Sequence, residues 1–208
     1  MIDRIICVAA AVLLTACGGD GGGKKKGDGG DGDRAKQTAS ARNDEGGAAP
    51  AASDVCRVEG EKRPLDGVHE SSGAAVSRRS AGVFWTHNDS GQPVLHAMDA
   101  EGREVGKVRV AGAELVDWED LASGPCPGGG DCLYVADIGD NGAKRADVVI
   151  YRVPEPAPGD AETRPAEALR LRYPDGPQDA EAFFVLPDGS LNIVSKGETG
   201  PIALYTAA

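Results

Sequence analysis

The sequence predicts an all-β fold, a partial β-propeller of about three four-stranded blades of which the last is incomplete. The first observation is an internal repeat, in which an acidic residue opens a short apolar stretch and a β-rich segment ending in a polar turn follows. The repeats open at Glu70, Asp117 and Asp179. Spacings of 47 and 62 residues suit one propeller blade with a variable loop. The second observation is that strand patterns outnumber helical patterns throughout the body.

Each repeat contains its strand signals in the order of one blade. An inner strand follows the acidic start, and a second strand ends in a polar residue at Asp89, Asp140 or Glu198. Outer strands follow, such as those predicted at 94–99 and 107–110. The glycines within 99–102 and 187–190 predict hairpin turns, because glycine supplies the positive φ that tight connections need. One helical turn is expected over 161–168.

Three blades do not close a ring, since propellers typically have four to eight. Open sheet edges would remain, and natural proteins normally cover them. The sequence therefore predicts either a truncated longer propeller or a body completed by a partner or an oligomer. We expect truncation, because 202–205 has the pattern of a third strand and only Thr206-Ala-Ala follows it.

Residues 1–16 are predicted to be a lipoprotein signal peptide. Arg4 precedes an apolar run at 5–14 that is too short to span a bilayer. Leu14-Thr-Ala-Cys17 resembles the lipobox of bacterial lipoproteins, in which the cysteine is lipidated after cleavage. We expect a protein anchored through lipid on Cys17 to the exported side of a bacterial envelope membrane. The alternative is a plain secretory signal with an incidental Cys17.

Residues 17–53 are predicted to be the lipidated cysteine and a disordered tether, and 54–208 the propeller body. The tether is rich in Gly, Asp and Lys and has almost no large apolar residue. Its six basic and six acidic residues cancel, so the formal net charge of −11 belongs to the body. An acidic body excludes nucleic-acid binding, which needs clustered Lys and Arg, and favours cations. The alternative interpretation of the charge is solubility alone.

The five cysteines divide by role. Cys7 lies in the signal peptide, and Cys17 is expected to carry lipid. Cys126 and Cys132 bracket Pro-Gly-Gly-Gly-Asp, and a tight exported loop of this kind predicts a disulfide. Cys56 is left over, either as a buried thiol or as the partner of a cysteine outside this chain.

The acidic starts of the repeats are the first candidate site. Inner strands of successive blades face one another across a propeller channel, so their first residues should converge. Converging carboxylates repel, and calcium, which takes six to eight oxygen ligands, relieves that repulsion. The alternative is that these carboxylates accept backbone hydrogen bonds and tie the blades together. The candidate metal ligands are Glu70, Asp117, Glu119, Asp179 and Glu181.

A second candidate group lies at the ends of the second strands in two repeats. Imidazole beside carboxylate can serve as a general base. Asn-Asp-Ser-Gly and Gly-Asp-Asn-Gly are also typical of turns whose side chains bond their own backbone, and that alternative stays open. Trp85 and Trp118 are expected to pack between adjacent blades. The candidate ligand-binding residues are His87, Asn88, Asp89, Asp137, Asp140 and Asn141.

Three motifs together resemble those of a family of bacterial secreted or lipoprotein β-propellers of unknown function. They are Thr-His-Asn-Asp-Ser-Gly at 86–91, Asp-Trp-Glu-Asp-Leu-Ala at 117–122 and Asp-Ile-Gly-Asp-Asn at 137–141. The resemblance implies further blades and a distant similarity to phytase-like and gluconolactonase-like propellers. Our hypothesis is a binding or scaffold module that takes calcium. The alternative is a metal-dependent hydrolase of phytase or lactonase type that uses the acidic channel mouth.

Overall fold

A computed structural model of the chain describes residues 4–5, 7–8, 62–197 and 200–208. The expected lipidation at Cys17, the tether at 17–53 and the unassigned Cys56 lie outside the described residues, as does most of the expected signal peptide at 1–16. Residues 63–208 belong to one compact unit. No described helix is long and apolar enough to cross a membrane.

Every regular element in the described residues is a β-strand, which confirms the predicted all-β class. The described part of the chain has thirteen strands, of which the longest, β7, has eight residues. The strands are β1 (Arg4–Ile5), β2 (Cys7–Val8), β3 (Ser71–Val76), β4 (Val83–Asn88), β5 (Val94–Asp99), β6 (Glu104–Arg109), β7 (Trp118–Pro125), β8 (Asp131–Asp137), β9 (Val148–Pro154), β10 (Glu167–Arg172), β11 (Ala180–Val185), β12 (Leu191–Ser195) and β13 (Leu204–Ala207).

The strands from β3 onward form three antiparallel sheets, each in chain order, as in propeller blades. The first blade is β3-β4-β5-β6, the second is β7-β8-β9-β10, and the third is β11-β12-β13. β1 pairs parallel with β10, and β2 pairs antiparallel with β13. β7 packs against both β3 and β11, so the inner strands of successive blades are neighbours. This arrangement is a partial propeller of three blades.

Two hydrophobic clusters fill the spaces between successive blades. Alternate residues of a strand point to opposite faces of its sheet, so the second blade contributes to both clusters. The cluster between the first and second blades includes both tryptophans, as predicted, and each is fully buried. Its largest members are Trp85, Leu95, Trp118, Leu133 and Tyr151. Between the second and third blades the cluster includes Tyr134, Ile150, Leu171, Phe183, Ile193 and Tyr205.

The connections follow most of the sequence predictions. Gly102 and Gly189 have φ of 80° and 87° in the two predicted hairpin turns. The predicted disulfide joins Cys126 to Cys132, with the two Cα atoms 5.1 Å apart. The helical turn expected over 161–168 is wrong. Glu162 forms a parallel bridge with Arg109, and β10 begins at Glu167.

Two carboxylates, the buried Glu155 and the half-buried Asp120, tie neighbouring blades together. Glu155, directly after β9, accepts a hydrogen bond from Trp85 Nε1 at 3.0 Å and one from the Ser77 hydroxyl, both on the first blade. Asp120 of β7 accepts one from the backbone N–H of Phe183 in the third blade at 2.7 Å. Buried polar groups of this kind stabilise a structure only while they are paired. The blades are therefore joined by specific hydrogen bonds as well as by apolar packing.

Candidate functional site

A β-bulge near the start of the inner strand recurs in all three blades. The pairing register shifts between Ser71 and Ala74, between Trp118 and Asp120, and between Ala180 and Ala182. In the second and third blades the extra residues are Glu119 and Glu181. Bulges re-aim side chains and are common beside active sites. The bulges therefore present both glutamates near the acidic residues that open the same strands.

One backbone hydrogen bond closes this end of every blade. The N–H groups of Asp89, Gly139 and Lys196 donate to the carbonyl oxygens of Glu70, Asp117 and Asp179, at 3.2, 3.2 and 2.8 Å. The three donors thus hold equivalent positions in their blades. Their side chains differ: a carboxylate in the first blade, none in the second and an ammonium in the third.

Gly139 leaves room for two carboxyl groups of the second blade. A Cβ atom at this position would lie 2.5 Å from Asp117 Cγ and 2.5 Å from Glu119 Oε1. Real Cβ atoms do not approach other heavy atoms so closely. The two acidic side chains therefore lie together over the Gly139 backbone, where any other residue would displace them.

Five carboxylates from three blades act on one another here. Burial is the main cause that raises the pKa of Glu119 from its usual value to about 7, and the charges of four neighbours add to it. Burial likewise raises the pKa of Asp117, against the opposing effect of Arg145. A raised carboxyl pKa indicates excess negative charge in a poorly solvated place. We call this group the acidic site: Asp89, Asp117, Glu119, Asp179 and Glu181.

Two basic residues lie at the edge of the acidic site. Lys196 Nζ is 2.7 Å from Glu181 Oε1 and 3.4 Å from Asp179 Oδ2, and the hydrogen bond to Glu181 raises the pKa of the lysine. Arg145 Nη1 is 2.7 Å from Asp137 Oδ1. These pairs neutralise part of the charge. The acidic site already holds one ammonium group of the chain itself.

Two carboxylate oxygens of the acidic site are buried and incompletely paired. Asp89 Oδ1 has no hydrogen-bond donor among the described residues, and Asp179 Oδ2 has the ammonium of Lys196 at 3.4 Å. Asp179 is almost completely buried, and its other oxygen accepts the N–H of Asp140 at 2.8 Å. A buried oxygen without a donor is costly unless a cation or another donor approaches it. Both oxygens therefore favour a positively charged neighbour.

Glu70, the predicted ligand from the first blade, lies apart from this group. Its side chain is exposed and accepts a hydrogen bond from the Ser90 hydroxyl at 3.2 Å. Its charge is not among those that raise the pKa of Glu119. The carboxylate that the first blade brings to the acidic site is Asp89, which the sequence placed in the second candidate group.

His87 is fully buried and lies edge-on to the Trp118 ring, with the ring centroids 5.6 Å apart. Its Nδ1 is 3.1 Å from the carbonyl oxygen of Asn88, and its Nε2 has no hydrogen-bond partner in the described part of the chain. Burial is the main cause that lowers the pKa of His87. The imidazole is therefore a neutral group inside the interface between the first two blades at neutral pH.

The other members of the second candidate group bond to nearby backbone. Asn88 accepts the N–H groups of residues 69 and 70, Asp137 those of 116 and 117, and Asp140 those of 144 and 145. The partners of Asn88 and Asp137 lie 18 to 21 residues earlier in the chain, across the strand pair. Those of Asp140 lie four and five residues later, as in a turn that an Asp side chain stabilises. Asn141 is exposed. These contacts support the turn interpretation for Asp140, whereas Asn88 and Asp137 join the end of the second strand to the start of the inner strand.

Sequence reasoning missed Lys196, Arg145 and Gly139. Lys196 directly follows the second strand of its repeat, where the first repeat has Asp89. Aligning the repeats by their second strands would have placed an ammonium opposite the predicted carboxylates. The motif Asp-Ile-Gly-Asp-Asn at 137–141 drew attention to Gly139. Its close approach to Asp117 could not be predicted, because it depends on the tertiary fold.

Within residues 62–197 and 200–208, no three His, Cys, Asp or Glu side chains are arranged so that they could hold a metal ion. A metal cation in the acidic site would therefore require its side chains to move closer together. Comparisons with protein-family models, with curated proteins and with solved structures gave no match to this chain. Its function is therefore inferred from the acidic site itself.

Proposed function

We propose that the chain is the propeller body of an envelope-anchored binding module whose acidic site takes a cation, with calcium as the preferred ion. The observation that carries this proposal is the convergence of five carboxylates from three blades, with the pKa of Glu119 raised to about 7. Burial is the main cause of this raised pKa and repulsion from the neighbouring carboxylates adds to it, so a bound cation would stabilise the charged form against both.

The donor set favours calcium over softer metals. All five side chains of the acidic site offer carboxylate oxygens, which calcium prefers, whereas the nearby imidazole of His87 is buried against Trp118. Asp89 Oδ1 and Asp179 Oδ2, of which the second is paired with Lys196, supply acceptors from two different blades. Glu119 and Glu181 are bulge residues, and both have long side chains. These side chains can turn toward an ion without a change in strand pairing.

The binding module is anchored to a membrane through lipid on Cys17. The apolar run before Leu14-Thr-Ala-Cys17 supports a lipid anchor on Cys17 at the exported side of a bacterial membrane. The Cys126–Cys132 disulfide supports an oxidising compartment, because such bonds rarely persist in the cytosol. The motifs at 86–91, 117–122 and 137–141 support membership of the lipoprotein propeller family that the sequence resembles.

Thermal unfolding with calcium and with chelator tests the cation. The chain would carry Cys17→Ser so that no lipid can be attached. Binding to the folded state stabilises it by about 2.7 kcal/mol when calcium is at a hundredfold excess over its Kd. We expect calcium to raise the midpoint and chelator to lower it again. An unchanged midpoint would remove calcium from the proposal.

Matched variants separate the acidic site from general charge. Asp117→Asn with Glu119→Gln should abolish the calcium shift, because both carboxylates lie over Gly139. Glu101→Gln with Asp160→Asn removes the same number of charges at exposed positions outside the acidic site, and the calcium shift should survive. Survival of the shift in the first pair would refute our choice of ligands.

A metal-dependent hydrolase of phytase or lactonase type is the second candidate function. The raised pKa of Glu119 favours it, because a carboxyl that titrates near neutral pH is suited to general acid and base catalysis. Hydrolysis of a phosphomonoester and a lactone, assayed with calcium, tests it. Glu119→Gln should lower kcat by at least about a hundredfold if the carboxyl transfers a proton. Calcium binding without any turnover would leave the binding module as the function.

A further inference from the structure

The second and third blades begin with the same pair of acidic residues. Asp117 directly precedes β7, and Asp179 directly precedes β11. The bulge residues of these two strands are Glu119 and Glu181. In the third blade the pair holds an ammonium group, since Lys196 Nζ lies 2.7 Å from Glu181 Oε1 and 3.4 Å from Asp179 Oδ2. One copy of the repeated acid pair therefore shows which kind of cation it can hold.

The second blade lacks the residue that supplies this cation. The N–H group of Gly139 donates to the Asp117 carbonyl oxygen at 3.2 Å, which is the bond that the Lys196 N–H group makes in the third blade. Gly139 has no side chain, and Ile138 before it is apolar and fully buried. The acid pair of the second blade therefore receives no ammonium group from its own second strand.

Glu119 is buried without a partner among the described residues. Its side chain is only 8% exposed, its Oε1 lies over Gly139, and it forms no hydrogen bond or ion pair there. Arg145, whose charge acts on Asp117, is bonded to the Gly139 carbonyl oxygen and to Asp137, at 2.8 and 2.7 Å. A buried carboxylate without a donor costs free energy, which a cation that carries N–H groups would offset.

We propose that Asp117 and Glu119 take a primary ammonium group of a ligand, at the counterpart of the position that Lys196 fills in the third blade. This inference rests on the proposed cation site and names an organic cation for it beside calcium. A primary ammonium group has three N–H donors. The third acceptor is Asp89 Oδ1, which has no donor among the described residues and whose charge acts on Glu119.

The present arrangement of side chains suits an ammonium group. Calcium takes six to eight oxygen ligands, and within 62–197 and 200–208 no three His, Cys, Asp or Glu side chains are placed for a metal ion. Two carboxylates are enough for an ammonium group, as the third blade shows. The distance of 2.7 Å from Lys196 to Glu181 is typical of a charge-assisted hydrogen bond. The fold therefore already contains the geometry that the ligand requires.

Thermal unfolding with small amines tests the inference. The full chain with Cys17→Ser is heated at pH 7 with chelator, at one ionic strength, with n-butylamine or with tetramethylammonium. Butylamine carries the ammonium group and stem of a lysine side chain, whereas tetramethylammonium has the same charge and no N–H donor. We expect butylamine to raise the midpoint and tetramethylammonium to leave it unchanged. Equal shifts from the two ions, or no shift from butylamine, would overturn the inference.

Matched variants locate the ammonium site. Asp117→Asn with Glu119→Gln should weaken butylamine binding by at least about tenfold, because it removes both charged acceptors. Glu101→Gln with Asp160→Asn removes as many charges at exposed positions, and the butylamine shift should survive. Circular dichroism confirms that each variant is folded. A full butylamine shift in the first pair would refute the assignment to Asp117 and Glu119.

The third blade supplies a reciprocal test. Lys196→Met leaves Asp179 and Glu181 without their ammonium group, so the variant gains a second open acid pair. Its butylamine shift should exceed that of the unchanged chain. Lys144→Met, at an exposed position, is the control and should show no gain. An equal shift in Lys196→Met and the unchanged chain would contradict the equivalence of the two acid pairs.

Calcium in the same assay separates this inference from the proposed function. A calcium shift without a butylamine shift overturns the ammonium site and leaves the calcium proposal standing. A butylamine shift without a calcium shift supports the ammonium site and removes calcium. Lysine with both its α-amino and carboxyl groups blocked identifies the source of the ammonium group. A shift with blocked lysine assigns the site to a lysine of another protein, and a shift with butylamine alone assigns it to free amines.

Discussion

The two ends of the second blade have opposite chemistry. At one end, where β7 begins and β8 ends, Asp117 and Glu119 lie together over Gly139. Further carboxylates surround them, so this end has an excess of negative charge. At the other, where β7 ends and β8 begins, the Cys126–Cys132 disulfide closes the hairpin. Glu155 at this second end is buried, but three donors of the first blade satisfy its side chain: Trp85 Nε1, the Ser77 hydroxyl and the Arg78 N–H.

The difference shows how one strand pair can combine stability with function. At the disulfide end, the buried side chain of Glu155 is fully hydrogen-bonded. It therefore joins the blades without the free-energy cost of a buried charge that lacks donors. At the acidic end, Asp89 Oδ1 is buried without a hydrogen-bond donor among the described residues, and Asp179 Oδ2 is paired only with the partly exposed ammonium of Lys196. Functional sites commonly hold groups in unfavourable surroundings that the rest of the fold stabilises. We expect substitutions to destabilise the disulfide end and to stabilise or hardly affect the acidic end.

Glu155→Ala should have the largest effect on stability. The substitution leaves Trp85 Nε1 and the Ser77 hydroxyl buried without an acceptor, so the free energy of unfolding should fall by about 3 kcal/mol or more. Urea unfolding of the purified chain measures this change. Glu155→Gln keeps an acceptor oxygen and should lose about 1 kcal/mol. Equal losses from the two variants would show that the hydrogen bonds are not the cause.

Removal of the disulfide should have the next largest effect. Cys126→Ser with Cys132→Ser frees a seven-residue loop in the unfolded chain, and loop-closure entropy predicts a loss of about 2 kcal/mol. The same measurement on the unchanged chain with reductant should give the same loss. Calcium binding should be unaffected, because the acidic site lies at the other end of the blade. A change in calcium affinity would contradict the separation of the two ends.

Glu119→Gln should act in the opposite direction. The folded state raises the pKa of Glu119 from 4.5 to about 7, so it holds this proton more tightly than the unfolded state does. The free energy of unfolding should therefore fall as pH rises from 4.5 to 7. Allowing for solvent screening, the variant should gain about 1 kcal/mol at pH 8 over the unchanged chain, and nothing at pH 4.

Urea unfolding between pH 4 and pH 8, without calcium, measures this effect. The control is Glu101→Gln, at an exposed turn position, which should leave the pH dependence of the unchanged chain intact. Parallel pH curves for Glu119→Gln and the unchanged chain would mean that Glu119 titrates alike in the folded and unfolded states.

Lys196→Met should have the smallest effect on stability, because its pairs with Glu181 and Asp179 are only partly buried. Its effect on calcium should be larger than its effect on stability, since it removes a positive charge from the acidic site. Calorimetric titration should show tighter calcium binding than in the unchanged chain. Lys144→Met, at an exposed position, is the matched control. Weaker binding in Lys196→Met would contradict competition between the lysine and the ion.

The fold was predictable because the repeat and its strand pattern depend on local sequence. The disulfide and the positions of Trp85 and Trp118 followed from the same pattern. The helical turn expected over 161–168 failed because tertiary pairing overrides propensity. There, the N–H groups of Thr163 and Ala166 donate to the carbonyl oxygens of Arg109 and Ala111 in the first blade.

The acidic site was predictable in part. Asp117, Glu119, Asp179 and Glu181 converge as the inner strands of a propeller require. The sequence did not predict that Asp89, and not Glu70, is the first blade's carboxylate in the acidic site. That choice depends on how each strand pair ends beyond its bulge. Lys196 was missed because its partners are residues 179 and 181, on the neighbouring strand.

Lys196 gives the acidic site a tethered competitor. A group held on the same chain acts at an effective concentration on the order of millimolar, and dilution does not lower it. An external cation must displace this ammonium before it reaches Asp179 and Glu181. Singly charged ions offer no electrostatic advantage over a lysine, whereas a doubly charged ion does. The lysine would therefore set a threshold, making the site insensitive to ordinary salt and responsive to multivalent cations.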